Sequence, residues 1–282
     1  MYADDTKIYR TITNELEANS LQKDIDNLVG WADRWQMKFN AEKCSVMHLG
    51  RNNKHFEYEI RHHGGSIKNT LNVTKIEKDL GVLVDNEMKF SQHVQVQVGK
   101  ANKILGLIRR SFTYLNAETM RTLFSSLVRP HLEFSNTVWY PHFEKDKKLI
   151  ENVLRRATKI IPGMKGLSYE ERLKKMKLPS MAYRRIRGDM IETYKFIHGI
   201  YAVKSSLFTI SKGNTRGHLF KVVTPRCETS LRQHFLSQRP IERWNNLPEL
   251  IPESPDLNTF KCRYDLVMKD FMYQNDEPPI QI

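Results

Sequence analysis

The pattern of apolar and polar positions changes near residue 90. Before it, apolar residues alternate or gather in short runs around one helical stretch; beyond it they recur at steps of three and four as far as Tyr201, which predicts helices. TKIYRTI (6–12) alternates and is rich in β-formers, so it reads as a strand. Ser20 is placed to cap a helix whose inner face carries Leu21, Ile25, Leu28, Ala32 and Trp35. CSVMHLG (44–50) reads as a buried strand stopped by Gly50, and 51–72 as a polar hairpin turning at HHGGS. KDLGVLVD (78–85) reads as one more short strand, with Gly81 marking a bulge or a close approach by another backbone.

After Phe90, Ser91 opens a helix with Val94, Val98, Ala101, Leu105 and Ile108 on one stripe. Asn116 opens the next, carrying Met120, Leu123, Phe124 and Leu127, and Pro130 stops or kinks it. A third runs through Leu149, Val153, Ala157 and Ile160. SYEE (168–171) has the spacing of a capping box and opens a fourth, and a long fifth follows Pro179. From about Val203 the chain reads as short and irregular, ending in a loose NDEPPIQI tail. The fold class expected is α+β, in three parts: a mixed piece over 1–90, a basic helical bundle over 91–201 and an appendage over 202–282.

Composition narrows the classes. With 282 residues, 40% hydrophobic and 27% charged, the chain can bury a sizeable core and is not of a disordered type. No apolar run approaches the roughly 18 residues of a membrane helix, and no apolar leader marks a secretory signal. Cys44, Cys227 and Cys262 are odd in number, widely spaced and without a C-x-x-C pair, which fits a reducing, intracellular setting.

Charge changes the picture more. The net charge of +13 is concentrated in 100–200, where 21 basic residues face nine acidic ones. Such a block attracts polyanions, nucleic acid foremost; a solvated surface on a basic bundle is the alternative. The basic pairs IRRSF (Arg109, Arg110), LRRATK (Arg155, Arg156, Lys159) and YRRIRGD (Arg184, Arg185, Arg187) are expected on amphipathic helices, clear of the apolar stripes, where they would meet phosphates whatever the base sequence. Trp35 and Trp139 read as core. HHGG and the Cys44/His48 pair lack a second ligand pair for a metal, and neither His131 nor His218 has a local nucleophile partner.

The remaining candidate chemistry lies at the start, in YADD (2–5). Neighbouring strand residues point to opposite faces, so Asp4 and Asp5 can serve one ion only in a tight turn. Magnesium, which takes a few carboxylates with waters and phosphates, suits such a site; a solvated turn is the alternative.

YADD between apolar segments resembles the Y/F-x-D-D polymerase motif of reverse transcriptases. The segments downstream of it resemble, in order, the reverse transcriptases of non-LTR (LINE-type) retrotransposons, jockey-like ones in particular. WADRWQMKFNAEKCSVMHLG, EKDLGVLVDNEMKFSQHV, KANKILGLIRRSF, LVRPHLEFSNTVWYP, LRRATKIIPG, RRIRGDMIETYK, TRGH and WNNLP carry that order across essentially the whole chain. The resemblance implies a partial palm sheet, a mainly helical thumb and a small irregular C-terminal segment. It also implies Asp4 as the aspartate meeting both metal ions, Asp5 as its supporting partner and Tyr2 beside the primer end or incoming nucleotide. Lys43 would protonate departing pyrophosphate, or else be a solvated turn lysine, and Leu80 and Gly81 would belong to a primer-grip hairpin.

Nucleotidyl transfer by two magnesium ions is what the family does, on an RNA template, with an RNA/DNA duplex and dNTP as partners and no membrane. The family's further aspartate and its finger residues would precede Tyr2. The expectation is therefore a C-terminal piece of such an enzyme, inactive alone; the other reading is a non-catalytic, basic nucleic-acid-binding module.

Overall fold

The structure, a computed structural model, describes residues 6–50, 52–61, 68–203, 207–213 and 217–280. The chain forms two compact units, Met1–Met88 and Lys89–Ile282. Helices and small two-stranded sheets make it α+β.

In the first unit, α1 spans Glu15–Arg34. It starts earlier than a Ser20 cap would have it, because Asn14 accepts from the Glu17 amide at 3.0 Å and fills the N-cap. Its buried face is Ala18, Val29 and Ala32. Trp35 is not core: it lies past the last turn and is 68% exposed. Residues 6–12 form no strand. Alternation supplies propensity, but a strand exists only with a hydrogen-bonding neighbour, and no described strand pairs with this segment.

Behind a 3₁₀ turn at Ala41–Lys43, the expected strand at 44–50 is reduced to β1, Ser45–Val46, paired in parallel with β4, Asn72–Val73. The polar hairpin is present as β2 (Glu59–Arg61) antiparallel to β3 (Lys68–Thr70); its HHGGS tip lies outside the described residues. β5 (Ile76–Asp79) and β6 (Val82–Asp85) correct the reading of 78–85 as one bulged strand. Asp79 faces Val82, so Leu80 and Gly81 alone make the turn, with φ of 45° and 89°. Positive φ at both positions is the type I′ pattern, whose twist suits a hairpin.

In the second unit the stripe predicted for α2 (Ser91–Ser111) is buried in full, from Val94 to Ile108. α3 (Ala117–Leu123) is capped by Asn116, as expected. It does not stop at Pro130: a π-helical turn, Phe124–Val128, leads into α4, Arg129–Glu133. Proline lacks an amide and its ring crowds the carbonyl four residues back, and the wider turn accommodates both. α5 (Glu144–Ile160) packs on α2, and α6 (Tyr169–Met176) carries the Ser168/Glu171 capping box.

α7 (Met181–Ile197) starts at Ser180 and is met there by a buried carboxylate. Glu151 accepts from the amides of Met181 and Ala182 at 3.2 and 3.0 Å, and from the Tyr169 hydroxyl at 2.5 Å. Negative charge at a helix N-terminus satisfies free amides and favours the helix dipole.

The far side of α7 shows that described residues beyond 203 pack into a shared core with it. Tyr183, Met190 and Tyr194 share a core with Trp244, Phe260 and Tyr264. The short helices α8 (Ser230–Gln233) and α9 (Ile241–Asn245) and the longer α10 (Leu257–Val267) shape this layer. Asn245 bonds both backbone groups of Val222 at 2.8 Å, and the His218 ring meets the Trp244 carbonyl at 3.0 Å, so His218 comes together in space with Trp244 of WNNLP. The tail is fixed through Glu277, which accepts from Tyr140 Oη at 2.7 Å and from Lys147 Nζ at 2.9 Å. Against the upward push of burial, these two groups hold the Glu277 carboxyl below its usual range.

Candidate nucleic-acid interface

The basic residues singled out in the sequence separate into two populations. Arg184, Arg185 and Arg187 stand on α7 but not on an open face. Arg184 forks onto Glu133, one bond being 2.7 Å, and Arg187 forks onto Asp265 at 2.5 and 2.8 Å. Arg185 is only 4% exposed, which corrects its expected place clear of the apolar stripe. Nearby, Arg239 holds Asp189 in a buried bidentate pair at 2.7 and 2.8 Å. A run such as YRRIRGD looks alike in sequence whether it faces water or carboxylates contributed from elsewhere in the chain. Those carboxylates, Glu133 and Asp265, lie 51 and 78 residues away.

Arg109 and Arg110 belong to the other population. Both are exposed in the last turn of α2, and with Asn102, Lys103 and Gly106 they line a shallow groove along that helix. Arg156 on α5 donates to Asn102 Oδ1 at 3.3 Å, which brings it to the same groove. Lys159, exposed, lies one turn later. α2 contributes four basic side chains and no acidic one. Arg155 is diverted: its guanidinium lies 4.1 Å from the Tyr169 ring centre and donates to Asn275 at 2.7 Å. The structure thus joins Arg109, Arg110, Arg156 and Lys159 on neighbouring helices, with Lys103, which the motif reading passed over. Its signal was available: Lys103 lies seven residues before Arg110, on the same helical face.

In the first unit, Lys43 is exposed at the end of the 3₁₀ turn, and Leu80 and Gly81 form the tip of the β5–β6 hairpin, Leu80 being 60% exposed. Tyr2, Asp4 and Asp5 lie outside the described residues. Among the described residues no cluster of three or more His, Cys, Asp or Glu could hold a metal, and no helix is long and apolar enough to cross a membrane. Cys44, Cys227 and Cys262 are free thiols.

No family model matches the chain, and no solved structure does. Two curated proteins are similar to it. One is the RNA-directed DNA polymerase from mobile element jockey of Drosophila melanogaster, 27% identical over 191 residues. The other is its namesake in Drosophila funebris, 27% identical over 169 residues. The alignments cover 63% and 55% of this chain but 20% and 17% of those proteins, so the chain spans about a fifth of the relatives it matches. The motif resemblance and these alignments agree: this chain is similar, over more than half of its length, to the reverse transcriptases of jockey-like, non-LTR retrotransposons.

Proposed function

We propose that this chain is the duplex-holding part of an RNA-directed DNA polymerase, and that α2 and α5 grip an RNA/DNA hybrid by its phosphates. The observation that carries the proposal is the convergence of Lys103, Arg109, Arg110 and Arg156 on one groove of a helix without acidic residues. Cations on packed helices that pair with no carboxylate among the described residues meet phosphates regardless of base, as a hybrid read by shape requires. On this reading 1–90 derives from a palm, 91–201 from a thumb and 202–282 from the segment beyond it. The tip Leu80–Gly81 would approach the primer strand, and Lys43 the pyrophosphate.

Two-magnesium nucleotidyl transfer, with Asp4 and Asp5 as ligands, is proposed only for a longer polymerase containing such a stretch. Residues 1–282 alone are expected to bind hybrid without extending a primer on poly(A) with magnesium. Extension that disappears in Asp4→Asn would refute that expectation.

Binding is tested by titrating a blunt hybrid across salt concentrations. The logarithm of affinity should fall linearly with the logarithm of salt, by about 0.9 per phosphate neutralised if the hybrid behaves as duplex DNA does. Arg109→Gln with Arg110→Gln should weaken binding and flatten the slope by about two contacts' worth. An affinity indifferent to salt would leave the proposal without support.

A further inference from the structure

The segment that follows the groove residues of α2 carries aromatic side chains that the packing of the second unit leaves uncovered. Most rings of that unit are buried or half-buried, and among its described residues Phe112, Tyr114 and Phe134 are the exposed ones. Tyr114 is 91% exposed and Phe112 41%, directly after Arg109 and Arg110 in IRRSFTY. Their backbone is held at both ends. The Phe112 amide donates to the Ile108 carbonyl at 3.1 Å and ends the helix. On the other side Leu115 is 8% exposed, and Asn116 caps α3 by accepting from Thr119 at 2.8 Å. An open ring on an anchored backbone costs less to order on binding than one on a free loop.

We infer that Tyr114, with Phe112, is a stacking platform for the unpaired base that leaves a duplex held on α2; this rests on the phosphate-binding reading of that helix. Tyr114 is four positions along the chain from Arg110, so the ring's backbone stays within about 14 Å of the last arginine of the groove. A strand whose phosphates track Lys103, Arg109 and Arg110 therefore reaches Tyr114 within a few nucleotides. A ring stacks on any base, and adjacent cations hold the backbone, the pairing of features by which proteins bind single strands without sequence preference. The groove's positive charge selects a polyanion for the patch over an apolar protein surface.

The test compares a blunt RNA/DNA hybrid with the same hybrid carrying a short single-stranded 3′ extension that contains 2-aminopurine, both titrated with the full chain. The extended hybrid should bind roughly five- to tenfold more tightly, with quenching of the 2-aminopurine as it stacks. Tyr114→Ala should abolish both the preference and the quenching while leaving blunt-hybrid affinity unchanged, and Tyr114→Trp should keep them. Equal affinity of the two hybrids, or a preference that survives Tyr114→Ala, overturns the platform and leaves the patch to a protein partner. Failure of the underlying reading looks different, because the blunt hybrid itself would then not bind, or would bind without loss on Arg109→Gln with Arg110→Gln.

Discussion

Leu80 occupies a left-handed conformation that costs an L-residue about 1–2 kcal/mol and that asparagine adopts readily. Leu80→Asn is therefore expected to raise stability by about 1 kcal/mol, and Gly81→Ala to lower it by about 1–2 kcal/mol, as read from urea midpoints. His93 offers a second residue-scale test. It is 1% exposed against Trp139, and burial, with help from Lys100, lowers its pKa from 6.5 to about 4. Between those values the unfolded chain takes up a proton that the folded chain refuses, so stability present above pH 6.5 is lost as pH falls towards 4. The loss amounts to roughly 2–3 kcal/mol, and His93→Gln should flatten that limb of the stability profile. The sequence spoke unevenly at this scale. SYEE and Asn116 were readable as caps because capping chemistry is local. Leu80–Gly81 read as a bulge because nothing in KDLGVLVD says whether the chain passes a glycine or reverses there.

For elements, what was legible is what depends on period. The α2 stripe was visible in full, since a long amphipathic helix against a core leaves one face apolar. α7 was visible as a helix but not as the post to which the later residues are tied. That role comes from long-range partners: Tyr194 donates to the Ser254 carbonyl at 2.8 Å, Tyr183 to Asp265 at 2.7 Å, and Asp189 takes the fork of Arg239. Asp189→Ala should cost about 3–5 kcal/mol, because it strands Arg239 inside the protein. Replacing both partners with apolar residues of similar volume should recover most of that loss, which thermal unfolding of the three variants would show. The irregular reading of 203–280 has the same origin: short helices separated by turns have no period, and their order comes from covering α7.

At the scale of the molecule, the central excess of charge does two jobs. Arg184 and Arg187 neutralise carboxylates and hold helices together, whereas Arg109, Arg110, Arg156 and Lys159 remain on the outside. The two groups should part in one experiment. Arg187→Gln is expected to lower the unfolding midpoint while leaving the salt dependence of hybrid binding unchanged, and Lys159→Gln to do the reverse. A matched loss of affinity in both would mean that the split is not real. Net charge in the sequence raised the expectation of a polyanion partner, but it could not say which arginines are paired with carboxylates and which stand outside.

The clasp at Glu277 has a consequence for how copies of such a gene decay. Because Glu277 closes over Tyr140, Lys147 and Arg243, and the layer before it roofs α7, a premature stop within that layer would not leave a shorter working edition. It would uncover Tyr183, Met190 and Tyr194 together, and the product would go to proteolysis or aggregation with α2, the helix proposed to grip a duplex, still encoded intact.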